Sequence, residues 1–353
     1  MISRKSILAV ACCGVLALGV AACGSSSSSS STSGGSSGTA NTPLTGAGST
    51  LIAPLMSKWQ SDYSSRTGNT VTYGAIGSGG GIEQITAGTV DFGASDAPLT
   101  PDQQKAAADV LMIPWALSST DPVYNINGVS DGLRLDGPTL ANIFLGNITA
   151  WNDPAIAKLN PGVTLPSTKI TPVYRSDGSG DTYILTDYLS KVSSEWKSKV
   201  GVGTEVKFPT GVGGKGNDGV SAVLSKTDGA IAYVGAAYAN SNGFNQVAVE
   251  NAAGKFLQPT LGTISAAAAA VKTIPSNNAV SLTDPPKSAT NAYPLASYTY
   301  VLAPSTSDKA DSLKEFITYA IGPGQSFGPS LLFAKLPSQI ISADKATIAK
   351  IGG

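Results

Sequence analysis

The chain has 353 residues, with 23 Lys and Arg against 23 Asp and Glu, three cysteines and no histidine. Without histidine, a Ser-His-Asp triad, a Cys-His pair, a histidine-ligated zinc ion and an imidazole acid or base are all excluded. The balanced charge, with 13% charged residues, argues against a nucleic-acid-binding protein, which normally carries a basic stripe. The length is sufficient for two domains or one large α/β unit.

The N-terminus has the pattern of a secretory signal. Arg4 and Lys5 precede an apolar run over residues 7–20, which is shorter than the roughly 20 residues of a membrane-spanning helix. The run closes in Val-Ala-Ala-Cys23, which resembles the lipobox of bacterial lipoproteins, where cleavage before the cysteine exposes it for lipid attachment. We expect residues 1–22 to be removed and Cys23 to be lipidated. The alternative is a plain secretory signal with a chance cysteine.

The segment that follows has a composition that cannot pack. Residues 24–42 contain only Gly, Ser, Thr, Ala and Asn, including seven consecutive serines at 25–31. Together with the cysteine they form a predicted flexible tether, residues 23–42, for which the random-coil estimate gives an end-to-end distance of roughly 24 Å. The globular body is therefore expected outside the cell membrane, anchored to its outer face by lipid.

From Leu44 onward, strand-like runs alternate with helical patterns, which is typical of an α/β fold with mostly parallel strands. Apolar residues recur every four positions from Leu51 to Tyr63 and predict a first helix that Gly68 ends. Further elements are predicted from the same periodicities, with strands near 71–73, 90–94, 110–113, 170–174, 230–234 and 298–302, and helices over 101–109, 138–145, 182–191, 219–227 and 312–321. No internal repeat of 20 to 50 residues indicates a solenoid or a propeller.

Three Gly/Ser/Thr loops share one design, because each follows a strand-like run and precedes a helical pattern. They lie at residues 46–50, 77–81 and 178–181. Glycine allows backbone N–H groups to turn toward a ligand, and a helix N-terminus presents unpaired N–H groups with a partial positive charge. If the carboxyl ends of parallel strands bring the three loops together, they surround a small anion with neutral donors.

Two charged residues stand next to these loops. Arg175 lies shortly before the third loop, where its planar fork of donors can reach the same anion. A surface ion pair with Asp177 is the alternative, and we expect that pair to coexist with ligand binding, since it would orient the guanidinium. Asp96 is either a site acceptor or a turn or N-cap residue ahead of Pro98.

A further glycine-rich stretch does not match a known phosphate loop. Residues 213–216, Gly-Gly-Lys-Gly, lack the spacing of a Walker A loop and the Ser or Thr that follows its lysine. We interpret residues 211–219 as a long flexible turn that leads into the next helix, with Asp218 as the cap of that helix.

Several motifs in one order resemble the PstS family, the phosphate-binding lipoproteins and periplasmic proteins of the phosphate-specific ABC transporter. The resemblance runs from about Leu44 to the C-terminus. It is strongest in four motifs, which are Thr-Gly-Ala-Gly at 45–48, Asp-Phe-Gly-Ala-Ser-Asp-Ala-Pro-Leu at 91–99, Asp-Gly-Ser-Gly at 177–180 and Gly-Gly-Lys-Gly-Asn-Asp-Gly at 213–219.

The resemblance implies a two-domain, periplasmic-binding-protein-like (type II) hinge fold of α/β class, with mixed, mostly parallel sheets and flanking helices. The two domains would close over the ligand and be joined by two crossing strands, near residues 117–125 and 292–300. Domain I would then be discontinuous, comprising 43–118 and 296–353, and domain II would comprise 119–295.

The resemblance also implies a set of phosphate ligands. Thr50 would donate through its hydroxyl and backbone, Leu51 through its backbone and Ser78 from the second loop. Asp96 would accept, and Arg175 would donate bidentately. The far side would be closed by Ser179, Gly180 and the residue at 181. Many relatives carry a threonine donor at that last position, whereas this chain has Asp181.

The two aspartates make the predicted site sensitive to protons. Phosphate at neutral pH still carries protons and can donate to Asp96, whereas sulfate has none, so a buried carboxylate there would exclude sulfate. If Asp181 also faces the anion, the site should favour monobasic phosphate and bind more strongly in mild acid. The alternative is that Asp181 caps its helix or pairs with Arg175 without touching the ligand.

The predicted function is extracytoplasmic capture of inorganic phosphate and its delivery to the permease subunits of an ABC importer. The protein is expected to be a monomer, anchored to the membrane by lipid, without a cofactor, a metal or catalytic activity. One alternative is a binding protein for another tetrahedral oxyanion such as sulfate or molybdate. A second is a phosphate-ester hydrolase with Ser179 as nucleophile, although nothing near that serine explains its activation. A third is a surface adhesin or sensor on the same scaffold.

Overall fold

The computed structural model describes residues 42–353. The predicted signal peptide, the lipidated Cys23 and almost all of the tether lie outside the described residues. No helix in residues 42–353 combines the length and the apolar character needed to cross a membrane.

The elements alternate along the chain as an α/β protein requires. The strands are β1 Leu44–Gly48, β2 Val71–Ala75, β3 Phe92–Ser95, β4 Val110–Asn125, β5 Arg134–Leu135, β6 Thr171–Arg175, β7 Val212–Gly214, β8 Ala230–Gly235, β9 Asn245–Gln246, β10 Ala248–Glu250, β11 Phe256–Leu257 and β12 Ala296–Pro304. The α-helices are α1 Ala53–Thr67, α2 Ser78–Thr86, α3 Pro101–Ala106, α4 Gly137–Leu145, α5 Pro154–Leu159, α6 Gly180–Val192, α7 Ser194–Lys199, α8 Gly216–Lys226, α9 Ala236–Asn242, α10 Leu261–Ala269, α11 Ala310–Ile321 and α12 Ser338–Ile348. Two 3-10 turns, Pro323–Phe327 and Pro329–Leu331, precede the last helix.

The main sheet is mixed. Its strand order is β2-β1-β3-β12-β4-β8-β6-β7, with β9 paired to β4. Strands β1, β2 and β3 run parallel to one another, and so do β6, β7 and β8, whereas β4 and its partners β12, β8 and β9 are antiparallel. The predicted α/β class is confirmed, and within the main sheet the parallel pairs belong to the two groups of strands that carry the glycine loops. A small second sheet has the order β11-β10-β5, with β5 and β10 parallel.

Strand β4 connects these two groups. Its 16 residues pair with β12 as far as Ser119 opposite Ala296, and with β8 from Thr120 opposite Gly235. The strand therefore changes its partner between two consecutive residues. We call β2, β1, β3, β12 and the first part of β4 the β1 half of the sheet, and the second part of β4 with β8, β6 and β7 the β8 half.

Helix α1 illustrates how the sequence pattern becomes packing. Its buried residues are Leu55, Met56, Trp59 and Tyr63, which form the predicted stripe of apolar side chains. Trp59 packs edge-on against Trp115 with 5.2 Å between ring centroids, so the stripe faces β4 in the core. Gly68 ends the helix in the left-handed conformation, with φ 74°, where glycine has no steric penalty.

The interpretation of residues 211–219 as a long flexible turn into the next helix, with Asp218 as the cap of that helix, was wrong. The segment contains β7, which pairs in parallel with β6, and the first residues of α8. Lys215 occupies the N-cap position of α8, and Asp218 lies in its first turn. Glycine is needed here for close packing, because a Cβ on Gly214 would lie 2.6 Å from the backbone nitrogen of Val220.

Candidate functional site

The three glycine loops lie at the carboxyl ends of parallel strands, as expected. The first follows β1 and leads into α1, the second joins β2 to α2, and the third joins β6 to α6. The second and third loops are in direct contact, since the backbone N–H of Gly79 donates to the carbonyl of Gly178 over 2.9 Å. The fold therefore brings all three loops to the boundary between the β1 and β8 halves.

Asp96, directly after β3, is the buried acid of the β1 half. Only 2% of its surface is exposed. Its Oδ2 accepts from the hydroxyls of Ser49 at 2.6 Å and Ser78 at 3.4 Å, and its Oδ1 accepts from Thr299 at 2.6 Å. Burial, together with the charge of Asp181, raises the pKa of Asp96 to about 7, although the hydrogen bonds from Ser49 and Thr299 and the charge of Arg175 oppose the shift.

Arg175 ends β6 and is held by two carboxylates. Its side chain is 1% exposed. Its Nε and Nη2 donate to the two oxygens of Asp177 at 2.8 and 2.5 Å, and its Nη1 donates to Asp181 Oδ2 at 2.9 Å. A guanidinium has five N–H donors, so two of them, one on Nη1 and one on Nη2, stay available to a ligand. The predicted pair with Asp177 is present and orients the fork.

Asp181 is paired rather than placed as a helix cap. Ser179 is the N-cap of α6, where its Oγ accepts from the backbone N–H of Thr182 at 3.3 Å, and Asp181 lies in the first turn. The Oδ1 of Asp181 accepts from Thr120 Oγ1 at 2.7 Å. Its Oδ2 accepts from Arg175 and, at 2.8 Å, from Asn217. Burial raises the pKa of Asp181, and the charge of Arg175 opposes this rise.

The remaining predicted residues surround these acids. The buried Ser78 hydroxyl accepts from the backbone N–H of Gly180 at 3.0 Å, across the boundary between the halves. Gly180 must be glycine, because a Cβ there would lie 2.4 Å from Asp96 Oδ2. The Leu51 N–H donates to Ser49 Oγ at 3.1 Å, so this predicted backbone donor already has a partner. Thr50 is buried, and its Oγ1 accepts from Asn217 at 2.8 Å.

All eight predicted site residues thus lie in one buried cluster, which contains four further polar residues that the sequence analysis did not identify. These are Ser49, Thr120, Asn217 and Thr299. Ser49 and Asn217 lie inside motifs that the sequence analysis had already singled out, so their position was a usable signal. Thr120 and Thr299 lie on β4 and β12, far from the loops in sequence, and only the pairing of those strands places them here.

The cluster combines donors with buried negative charge. Within residues 42–353, neither the Thr50 hydroxyl nor the Ser179 hydroxyl donates to a protein acceptor, and Arg175 keeps two N–H groups. No three Asp, Glu, His or Cys residues in the described part of the chain are arranged to hold a metal ion. The arrangement suits a small anion that both accepts hydrogen bonds and can give one to Asp96.

Comparison with known proteins identifies the family of this chain. Residues 27–323 match the PBP superfamily domain. Phosphate-binding protein PstS of Xylella fastidiosa (strain Temecula1 / ATCC 700964) is 42% identical over 314 residues, which are 87% of this chain and 85% of that protein. Phosphate-binding protein PstS of Pasteurella multocida (strain Pm70) is 42% identical over 308 residues, 86% and 89% of the two chains. The chain belongs to the PstS family of the PBP superfamily.

Solved structures agree with the fold. A high affinity periplasmic phosphate-binding protein (PfluDING), solved with phosphate at pH 8.5, superposes with a TM-score of 0.71 and 21% identity. The superposition covers 86% of this chain and 93% of that one. At this identity the likeness establishes the fold, and it confirms the predicted two-domain binding-protein architecture.

Proposed function

We propose that this protein binds inorganic phosphate with high affinity in the buried cluster at the boundary of the two sheet halves and delivers it to an ABC import permease. The proposal rests mainly on two buried residues of the cluster. Asp96 is a hydrogen-bond acceptor, and Arg175 is a donor that keeps two N–H groups without a protein acceptor in residues 42–353. Family membership and the names of the relatives support the same ligand.

The proposed ligands are the eight residues of the sequence analysis. Thr50 and Ser179 supply hydroxyls, and Arg175 donates bidentately. The Ser78 hydroxyl and the backbone N–H groups of Leu51 and Gly180, which donate to Asp96, Ser49 and Ser78 here, turn to the ligand when it binds. Asp96 accepts a hydrogen bond from a protonated oxygen of the ligand, and the buried Asp181 completes the set beside Arg175. Micromolar affinity corresponds to about −8 kcal/mol, which several charge-assisted hydrogen bonds can supply after the cost of domain closure.

The carboxylate of Asp96 determines the selectivity of the site among oxyanions. Monobasic and dibasic phosphate carry protons and can donate to the carboxylate. Sulfate carries no proton, so its oxygen lone pairs would face those of the Asp96 carboxylate and repel them. A buried acceptor without a donor costs about 1–3 kcal/mol, and more when it is charged. The site therefore rejects sulfate and other fully deprotonated oxyanions.

We infer that the two domains are residues 43–118 with 296–353, and residues 119–295. The change of partner in β4 between Ser119 and Thr120 supports the first boundary. The N–H of Thr120 donates to the carbonyl of Leu295 at 3.1 Å, which supports a return crossing at that level. The ligand is fully contacted only when the domains close, so affinity depends on the stability of the closed state.

We further propose that the mature protein begins at a lipidated Cys23 and works as a monomer on the outer face of the membrane, beside its permease.

We also propose that the protein needs no cofactor and is not an enzyme. The oxygen of Ser179 accepts from the backbone N–H of Thr182, and no carboxylate in residues 42–353 accepts from its hydroxyl, which argues against a nucleophilic role.

Titration calorimetry of the mature protein with phosphate, sulfate and molybdate tests the proposal. We expect a micromolar or tighter dissociation constant for phosphate and at least a thousandfold weaker sulfate binding. Native mass spectrometry of freshly purified protein should show a phosphate adduct that dialysis removes. Tighter binding of sulfate or molybdate than of phosphate would contradict the proposed ligand, and turnover of a chromogenic phosphate ester would contradict the absence of catalysis.

A further inference from the structure

We propose that Asn217 is a positioning residue of the site, whose carboxamide bridges the two sheet halves and sets the hydrogen-bond polarity of Thr50 and Asp181. The inference rests on the proposed phosphate site and adds to it a residue that does not itself need to touch the ligand. Asn217 lies in the first turn of α8 and is fully buried.

The carboxamide of Asn217 uses both of its donors and accepts one hydrogen bond. Its Nδ2 donates to Thr50 Oγ1 and to Asp181 Oδ2, each at 2.8 Å, and its Oδ1 accepts from the backbone N–H of Gly235 at 2.8 Å. An amide nitrogen has two N–H donors, so each donor has one acceptor. The bond to Gly235 at the end of β8 fixes which end of the amide is the donor, because the oxygen is the atom that must face the Gly235 N–H.

The bridge determines what Thr50 can do. Since the Thr50 oxygen accepts from Asn217, its hydroxyl proton must point elsewhere, and no acceptor in residues 42–353 receives it. The Thr50 hydroxyl is therefore oriented to donate a hydrogen bond to an anion. Without the Asn217 donor the hydroxyl could turn, and its proton would no longer be directed toward the ligand.

The same amide is one of the donors that favour the ionised form of Asp181 and oppose the effect of burial, which raises its pKa. Arg175, Thr120 and Asn217 supply three donors to its two oxygens, which suits a carboxylate and leaves it turned toward the protein. Held in this way, Asp181 keeps the guanidinium of Arg175 aligned.

The bridge also connects elements on opposite sides of the boundary. Asn217 belongs to α8, which packs on β8, and Thr50 precedes α1, which follows β1. The Asn217 to Thr50 bond therefore exists only when these two sides are together. Breaking it should destabilise the closed state, which raises the dissociation rate of phosphate more than it lowers the association rate.

The decisive variant is Asn217→Asp, which keeps the size of the side chain and the acceptor for the Gly235 N–H but removes both donors and faces Asp181 with a like charge. Charged groups near this position are Asp181, Arg175 and Asp177, whose Oδ1 accepts from the backbone N–H of Gly216. We expect about a hundredfold weaker phosphate binding at pH 7.5, mainly in the dissociation rate, and a partial recovery as the pH falls to 5.5 and one carboxyl is protonated. Asn240→Asp, at an exposed position of α9, is the matched control and should bind as wild type does.

A second variant separates the bridge from a general packing defect. Asn217→Ala should weaken phosphate binding about tenfold, and Thr50→Val should do the same, but the double variant should lose at least fivefold less than the product of the two single losses. Strictly multiplicative losses, or an Asn217→Asp protein that binds as wild type does, would overturn the bridge while wild-type phosphate binding stands. Failure of the wild-type protein to bind phosphate would overturn the proposed function instead.

Discussion

Thr299 donates a hydrogen bond of 2.6 Å from its Oγ1 to Oδ1 of Asp96, although the two residues are 203 positions apart in the sequence. The contact arises because β12 runs antiparallel to β3, with Tyr300 opposite Ser95. The acid of the site is thus held by the central strand of the sheet, on the side of Asp96 away from Ser49 and Ser78, which both donate to Oδ2.

Replacing Thr299 should weaken the site without touching the ligand. In Thr299→Val the buried Oδ1 of Asp96 loses its donor, a loss of about 1–3 kcal/mol for the charged form. The pKa of Asp96 should rise above its value of about 7, because the Thr299 hydrogen bond lowers it. We expect five- to tenfold weaker phosphate binding at pH 7.5 by titration calorimetry. Thr299→Ser, which keeps the hydroxyl, should bind within twofold of wild type, and equal affinities of the two variants would contradict this role.

Replacing Asp96 should remove the discrimination between phosphate and sulfate. In Asp96→Asn the carboxamide can donate to sulfate, and in Asp96→Ala the opposing lone pairs are absent. We expect the ratio of the two affinities to fall at least a hundredfold in both variants, largely because phosphate loses its acceptor and sulfate loses its repulsion. Competition calorimetry measures the ratio, with Asp102→Asn at an exposed position of α3 as the control. An unchanged preference in Asp96→Ala would refute the selectivity mechanism.

The pH dependence of binding should depend on Asp181. Burial raises the pKa of Asp181, and that of Asp96 lies at about 7, so lowering the pH from 8 to 5 neutralises one carboxyl or converts phosphate to its monobasic form. Wild-type affinity should therefore strengthen toward mild acid. Asp181→Asn removes one of the two coupled acids and should flatten the profile, as measured by calorimetry in half-unit steps of pH. Identical profiles for the two proteins would show that Asp181 takes no part.

Local sequence patterns predicted the parts of the site that are local in the chain. The strand, loop and helix units around Ser78 and Ser179 formed as expected, since glycine, hydroxyl and helix signals stand together there. Only the first residues of β4 were predicted from periodicity. The polar residues Ser119 and Thr120 interrupt the apolar pattern of that strand, yet both are buried and bonded to carboxylates at the boundary of the two halves.

The wrong interpretation of residues 211–219 has a similar cause. Its glycines suggested flexibility, but they are there because β7 and α8 pack at distances that only glycine permits, as at Gly214. This error hid Asn217, whose role depends on Thr50 and Asp181, 167 and 36 residues away. Contacts between such distant residues leave no periodic signal in a single sequence.

The last prediction concerns stability, far from the loops. Asp344 in α12 is fully buried, and neither of its carboxyl oxygens has a hydrogen-bond partner in residues 42–353. Burial raises the pKa of Asp344 from 3.8 to about 8. A folded-state pKa above the unfolded value stabilises the protein fully below about pH 4, and this contribution is lost as the pH rises through about 8.

Asp344→Asn, which is neutral at every pH and nearly the same size, should therefore differ least from wild type at pH 5 and melt several degrees higher at pH 9. At pH 9 the wild-type protein must either bury a charged carboxylate or keep the carboxyl protonated at a pH above its pKa. Thermal unfolding followed by circular dichroism at pH 5, 7 and 9 measures the difference. Asp311→Asn, at an exposed position of α11, should give no pH-dependent gain. A gain of equal size at pH 5 and pH 9 would mean that ionisation of Asp344 is not its cause.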